Sequence, residues 1–221
     1  GHAVLARADA DVVYSLRHHM FVGDIGICPG KYGVSSQVAF VTTPHGLYGY
    51  SAGLLVRADV KGGRWTEIAK GGPGHDEHCF LVHDSRRDRL LHLSSDAKAM
   101  WAFDFAAKAW TREKPAGKMP PVALGDGTYV PQLDAVLLVF AETKGGPEKL
   151  WFYRCDSKKW YTAPSEGDKF KGVHDGPRDW SPHWDAELGV VVRISPSGFA
   201  AWLNVHVLRL DPSSLKLTLV E

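Results

Sequence analysis

HDSRRDRLLHLSSDAKAMWAFDFAAKAWT, residues 83–111, and LDAVLLVFAETKGGPEKLWFYRCDSKKWYT, residues 133–162, follow one pattern. The spacing from Asp84 to Trp110 equals the spacing from Asp134 to Trp160. A second tryptophan occupies the matching position between these landmarks in both copies. Three landmarks that coincide without a gap indicate an internal repeat of about 50 residues.

Two further copies of the pattern lie on either side of this pair. The first, 38–68, has shorter loops and carries Trp65 at the landmark position. The last, 183–220, lacks the landmark tryptophan, and Leu215 is the nearest substitute. Each copy contains four short runs rich in Val, Leu, Phe, Tyr and Trp, separated by Gly, Pro, Asp, Ser or Lys turns, which predicts four β-strands per copy.

The one segment with a helical composition, 98–110, reads as a strand. Trp101, Phe103 and Phe105 alternate there with Ala102 and Asp104, and a period of two is typical of a strand. The chain is therefore predicted to be all-β.

Four-stranded repeats of this length are the blades of a β-propeller. We expect blades at 37–72, 73–119, 120–171 and 172–221. Residues 1–36 hold two strand-like runs, 11–16 and 20–27, and are predicted to form a partial or degenerate fifth blade. The chain is then a single propeller domain or part of a larger one. An incomplete propeller would expose apolar sheet faces and favour self-association.

The repeat resembles kelch-type repeats. The resemblance rests on Val82-His83-Asp84 with Asp88, on Trp101-Ala-Phe-Asp104, and on Trp110-Thr111. It extends over about 38–221 and implies a propeller with a disc-shaped scaffold. One departure is clear: kelch blades usually carry a Gly-Gly pair after the second strand, whereas the pairs here begin at Gly62, Gly71 and Gly145 and fall in other loops.

The bulk composition excludes several classes of protein. The chain has 221 residues with 26 basic and 25 acidic side chains, so its formal net charge is +1 and gives no reason to expect a nucleic-acid partner. No run approaches the roughly 20 apolar residues of a membrane helix, so no membrane partner is expected. Three widely spaced cysteines give no disulfide framework. The cellular compartment stays open.

The propeller resemblance implies that the loops entering each first strand share one face. Two of these loops, 74–79 and 172–183, are dense in His, Asp and Arg. We predict a ligand-binding face made by His75, His78, His174, Asp175, Arg178 and Trp180. Asp175 can orient His174, Arg178 can hold a carboxylate through paired hydrogen bonds, and Trp180 can stack on a sugar ring.

The first of these loops contains residue types that bind metals. His75 and His78 could ligate a metal with Asp76 or Glu77, but such histidines also bond neighbouring loop backbone. The structural interpretation is preferred, so no metal and no cofactor are predicted.

Two functions fit these residues. The first is a propeller scaffold that binds a protein or carbohydrate ligand through the polar face. The alternative is a carbohydrate-active enzyme, a polysaccharide lyase or glycoside hydrolase, that uses the same loops together with Tyr32. No sequence motif decides between them, so enzyme activity is left open.

Overall fold

The computed structural model confirms an all-β chain. It describes residues 2–6, 11–15, 20–24, 28, 38–51, 53–73, 80–94, 99–120, 127–141, 148–164, 181–196, 203–213 and 216–219. The one helical element of these segments is a short 3-10 turn, Pro131–Leu133, and none of their helices is long and apolar enough to cross a membrane. The strands are β1 His2–Ala6, β2 Asp11–Ser15, β3 Met20–Asp24, β4 Ala39–Thr43, β5 Gly46–Ser51, β6 Leu54–Asp59, β7 Arg64–Ala69, β8 Phe80–Asp84, β9 Arg89–Ser94, β10 Ala99–Asp104, β11 Ala109–Glu113, β12 Gly127–Val130, β13 Ala135–Ala141, β14 Glu148–Arg154, β15 Lys159–Pro164, β16 Ser181–Asp185, β17 Val190–Pro196, β18 Leu203–Asp211 and β19 Lys216–Leu219.

The strands form five separate sheets in which chain neighbours are hydrogen-bonded neighbours. Sheet A contains β1–β3, and sheets B, C, D and E contain β4–β7, β8–β11, β12–β15 and β16–β19. Four strands per repeat is therefore confirmed, and so is the assignment of 98–110 to strand rather than helix. The expectation of two strands in 1–36 is wrong by one, because His2–Ala6 pairs with β2 as a third strand.

The chain divides into two compact units. The first comprises Gly1–His83, Asp88–Ala97 and Trp101–Arg112, and the second comprises Asp84–Arg87, Lys98–Met100 and Glu113–Glu221. How far one propeller domain extends along the chain stays a prediction.

In the first unit, two sheets share a core. Tyr48, Tyr50 and Leu55 of sheet B pack with Leu81, Leu90 and Phe103 of sheet C. We call the face of a sheet that packs on the next sheet in the chain its leading face, and the face that receives it the trailing face.

The second unit repeats this arrangement. The leading face of sheet D, made by Ala135, Leu137, Leu150 and Phe152, packs on a trailing face of sheet E made by Val191, Leu208 and Leu210. The first four residues of β13, Ala135 to Leu138, are buried on both faces of the strand, which explains why all four are apolar.

A recurrent turn joins paired strands. In four hairpins the last strand residue is an aspartate whose Oδ1 accepts the backbone N–H three residues on, and the turn ends on a residue with positive φ. The aspartates are Asp59, Asp84, Asp104 and Asp185, and the matching positive-φ residues are Gly63, Asp88, Lys108 and Gly189. The side chain thus replaces a backbone acceptor in the turn. Lys158 holds the same position in the β14–β15 turn, where Arg154 replaces the aspartate.

The segment after β11 covers part of an outer strand. Ala116 pairs in parallel with Lys159, donating its N–H to the Lys158 carbonyl at 2.8 Å and accepting the Trp160 N–H at 2.9 Å. Strand β15 ends at Pro164, which has no N–H to offer. The two features leave little of this edge open to pairing with another strand.

The landmark tryptophans lie in the packed interior to different degrees. Trp160 is 3% exposed and packs on Tyr153 at 5.2 Å between ring centroids. Trp110 is half-buried and contacts Tyr50 of sheet B and Phe103 of its own sheet, each at 5.2 Å. Trp110 therefore bridges two sheets.

Replacing Trp160 by Ala should lower the free energy of unfolding by about 3–5 kcal/mol, because the change leaves a cavity in a buried site. Urea unfolding followed by circular dichroism measures the effect. Tyr161→Ala is the matched control. Tyr161, the next residue, is 39% exposed, so its replacement should lower the free energy of unfolding much less. Equal losses in both variants would show that Trp160 is not part of the core.

Candidate functional site

The sequence-predicted ligand face cannot be placed from the described segments. His75, His78, His174, Asp175, Arg178 and Trp180 all lie outside the described residues, as do Tyr32, Asp76 and Glu77. Their grouping stays a prediction. The described residues instead present three polar groups of side chains, and each is built on the ends of strands.

The first group, the turn cluster, consists of His45, His83 and Asp88. The β4–β5 turn supplies His45, β8 supplies His83, and the β8–β9 turn supplies Asp88. The Nε2 atom of His45 lies 2.7 Å from one carboxylate oxygen of Asp88, and the Nε2 atom of His83 lies 3.1 Å from the other. One carboxylate of sheet C is thus held by imidazoles from two sheets.

Aromatic rings support the turn cluster. The ring of Phe105 lies 4.6 Å from the His45 ring and 5.3 Å from the Tyr48 ring, measured between centroids. Burial raises the pKa of the Tyr48 hydroxyl, and the charge and hydrogen bond of Arg57 oppose that rise. The cluster therefore has an apolar floor and a polar, solvent-facing rim.

The chemistry of the turn cluster is that of a fixed carboxylate. The hydrogen bond from His45, then that from His83, holds the pKa of Asp88 below its usual value, so the carboxylate stays charged at neutral pH. Its side chain is 54% exposed. Within the described segments, no three His, Cys, Asp or Glu side chains are arranged to hold a metal ion.

The second group, the arginine network, joins the landmark aspartates of two repeats. Arg87 donates to both carboxylate oxygens of Asp134, each at 2.7 Å, and also to Asp84 at 3.2 Å. The hydroxyl of Tyr129 donates to Asp134 at 2.8 Å. One guanidinium thus serves two carboxylates of consecutive repeats: Asp84 at the end of β8, and Asp134 at the positive-φ turn position that Asp88 holds in sheet C.

Burial makes this network electrostatically strong. Asp84 is 0% exposed and Asp134 is nearly so. The hydrogen bond from Arg87 lowers the pKa of Asp134, and the same bond raises the pKa of Arg87. Burial, followed by the hydrogen bond to Asp134, raises the pKa of Tyr129. All three shifts favour the charged pair with a neutral tyrosine.

The third group lies where β11 ends. Tyr153 donates its hydroxyl hydrogen to the buried carboxylate of Glu113, and Lys158 pairs with the other oxygen at 2.9 Å. Lys158 is a positive-φ turn residue, so this pair fixes a conformation that a lysine rarely adopts.

The sequence analysis missed the long-range part of these groups. The sequence pattern gives no role to His45, places His83 in the kelch-like motif, and marks Asp84 and Asp134 as repeat landmarks. The available signal was an aspartate beside the first turn in the repeats of sheets C, D and E. The partners come from another repeat, and spacing within one repeat cannot reveal them.

Comparison with known proteins identifies the fold. No family model matches the chain, and no curated protein matches it. The nidogen structure of a nidogen/laminin complex matches with a TM-score of 0.64 and 14% identity, covering 100% of this chain and 78% of that chain. The WD40 repeats of RRP9 match with a TM-score of 0.58 and 11% identity, covering 100% of this chain and 76% of that chain. A copper-bound fungal alcohol oxidase of the AA5 family matches with a TM-score of 0.54 and 12% identity, covering 97% of this chain and 47% of that chain.

At these identities the likeness shows the fold alone. Together with the four four-stranded sheets, it establishes a β-propeller in which sheets B to E are blades. The similar structures include a laminin complex and an oxidase, so the fold by itself does not select a function.

Replacing Arg87 by Met should lower the free energy of unfolding by about 3 kcal/mol, because two buried carboxylates lose their hydrogen bonds to the guanidinium. The low end of the usual range applies, since a third of the Arg87 side chain is exposed. Arg86→Met, at the adjacent exposed position, is the control and should change stability by less than about 0.5 kcal/mol. If both variants unfold at the same denaturant concentration, the arginine network does not stabilise the fold.

The depressed pKa of Asp134 should appear in the pH dependence of stability. The folded state holds the carboxylate ionised, while the unfolded chain protonates it near pH 4, so stability present above that pH is lost as pH falls further. Asp134→Asn should make the free energy of unfolding depend less on pH in this acidic range. Asn tolerates the positive φ at this position. Unfolding free energies measured from pH 6 down to about pH 2.5 test the expectation. Identical slopes in both proteins would contradict it.

Proposed function

We propose that the chain is a ligand-binding β-propeller module. The observation that carries the proposal is the pairing of charged side chains with one another in the described segments. The turn cluster, the arginine network and the Glu113–Lys158 pair each join groups that hold turns in place. Charges used in this way make a rigid framework, which is what a binding scaffold requires.

A catalytic arrangement would look different. A general base needs an open position within hydrogen-bond reach where the reacting atom can sit. In the turn cluster both oxygens of Asp88 already accept from imidazoles, and in the arginine network both oxygens of Asp134 accept from Arg87. These groups therefore serve positioning rather than proton transfer.

The ligand face we propose is the one predicted from the entering loops. It comprises His75, His78, His174, Asp175, Arg178 and Trp180. Arg178 and the imidazoles supply donors, and Trp180 supplies a flat apolar surface, so the fitting ligand is polar and anionic. A protein partner is supported by the similar nidogen structure, which is in a complex with laminin, and an acidic oligosaccharide carries the same recognition groups.

The repeats are proposed to be kelch-like. The support is the His83-Asp84-x-x-x-Asp88 turn, in which the first aspartate accepts the turn N–H and the last adopts positive φ. Both aspartates of the motif thus have a role in the conformation of the turn.

Replacing Arg178 by Ala should weaken binding of an acidic ligand at least about tenfold, because a charge-assisted, paired hydrogen bond is lost. Isothermal titration of both proteins against acidic and neutral oligosaccharides and an acidic peptide measures the effect. Lys61→Ala, an exposed cation in the β6–β7 turn, is the matched control and should bind as the wild type does. The unfolding midpoints of all three proteins should agree.

Two results would count against this proposal. If no acidic member of the panel binds, or if Arg178→Ala binds as tightly as the wild type, the predicted face is ordinary surface. If the oligosaccharides are cleaved at a rate that falls in His174→Ala, the chain is an enzyme and the scaffold interpretation is wrong.

A further inference from the structure

The outer strands of sheets C and D begin in the same way. Each follows a tight turn that ends on a lysine with positive φ, Lys108 at 51° and Lys158 at 50°. On sheet D, the Lys158 carbonyl and the Trp160 N–H point out of the sheet, where both bond Ala116. The matching groups on sheet C are the Lys108 carbonyl and the Trp110 N–H, which therefore point out of sheet C.

In the described segments, sheet C has no counterpart of the bond between Ala116 and sheet D. Ala116 is the third residue after β11, and the third residue after β7 is Gly72. Gly72 donates its N–H to the Gly53 carbonyl in the β5–β6 turn at 3.4 Å. It lies against the Trp110 side chain, since a Cβ at Gly72 would meet the indole nitrogen at 2.9 Å. No backbone group of these segments bonds the Lys108 carbonyl or the Trp110 N–H.

This edge of β11 is bordered by exposed, cationic side chains. Ala109 and Thr111, whose backbone flanks the outward-pointing N–H, are both exposed. Three exposed cations stand in the turn, in the strand and just after it: Lys108, Arg112 and Lys114. The acid of the same run, Glu113, is buried and paired with Lys158. The exposed charges from 108 to 114 are therefore all positive.

We infer that the outer edge of β11 binds an extended acidic segment of a partner protein. The segment pairs with sheet C as Ala116 pairs with sheet D, donating an N–H to the Lys108 carbonyl and accepting the Trp110 N–H. Its acidic side chains meet the cations of 108–114. The site uses none of the residues of the ligand face proposed above. The contact is small, so binding is weak, with a dissociation constant on the order of 100 µM.

The probe is a blocked octapeptide that alternates glutamate and valine. Isothermal titration against the Arg178→Ala protein measures its binding without a contribution from the ligand face, so either proposal can fail alone. Two N-methylated versions, each lacking one alternate set of backbone N–H donors, test for strand pairing. Only one set can face sheet C, so one version should lose binding and the other should keep it. A version with lysine in place of glutamate should bind at least about tenfold more weakly.

A change of charge at Thr111 locates the site. Thr111→Asp places an acid on the exposed edge strand and should weaken binding at least about threefold, because like charges then face each other across the new pair. Thr111→Lys changes the same position with the opposite sign and should bind at least as tightly as the parent protein. Thr66→Asp is the matched control, because Thr66 is exposed and follows Trp65 in β7 as Thr111 follows Trp110 in β11.

Four results would overturn the proposal. They are no binding of the octapeptide, equal affinities of its two N-methylated versions, and equal losses in Thr66→Asp and Thr111→Asp. The fourth is a dimer of the protein without peptide that disappears in Thr111→Asp, seen by analytical ultracentrifugation, which would make a second copy the occupant. All variants should keep the circular dichroism spectrum and unfolding midpoint of the parent, which shows that a loss of binding is not a loss of fold.

Discussion

The packing of a leading face on the trailing face of the next sheet is the contact on which the rest of the structure depends. In the part of the chain that the structure describes, the five sheets share no strand, so packing of side chains holds sheet B on sheet C and sheet D on sheet E. This requirement explains the apolar face that sheet D presents to sheet E. It also explains the aromatic content, because Trp110 and Tyr50 fill the wedge between sheets more completely than smaller residues could.

Polar pairs fix the geometry of the contact between neighbouring sheets. Apolar faces tolerate sliding, whereas the two hydrogen bonds from Arg87 to Asp134 are satisfied in one geometry. The network still leaves two buried acids against one base, so a well-packed apolar substitute for the whole group could be as stable. We infer that the network is retained because it fixes the register between turns, which an apolar cluster would leave free.

The repeat made the fold predictable, and the long-range pairs made the site unpredictable. The equal spacing of Asp84–Trp110 and Asp134–Trp160 was enough to predict four strands per copy, because each strand depends on local pattern and turn chemistry. The strand His2–Ala6 was missed since it is short and carries no landmark. His45 and Asp88 are distant in sequence, and only the folding of two repeats against each other brings them to 2.7 Å. The landmark aspartates pointed to important positions, while their bond to Arg87 needed the structure.

The pairing of Ala116 with the edge of β15 has a consequence for biosynthesis. A ribosome makes the chain from its N-terminus, so Ala116 leaves the exit tunnel well before Lys159 and Trp160 do. The partner for that edge is already present when the outer strand of sheet D is added. A freshly made strand of this kind would otherwise offer its open N–H and C=O groups to neighbouring nascent chains on the same messenger RNA. The order of translation itself thus protects the outer edge of sheet D while that sheet is being completed.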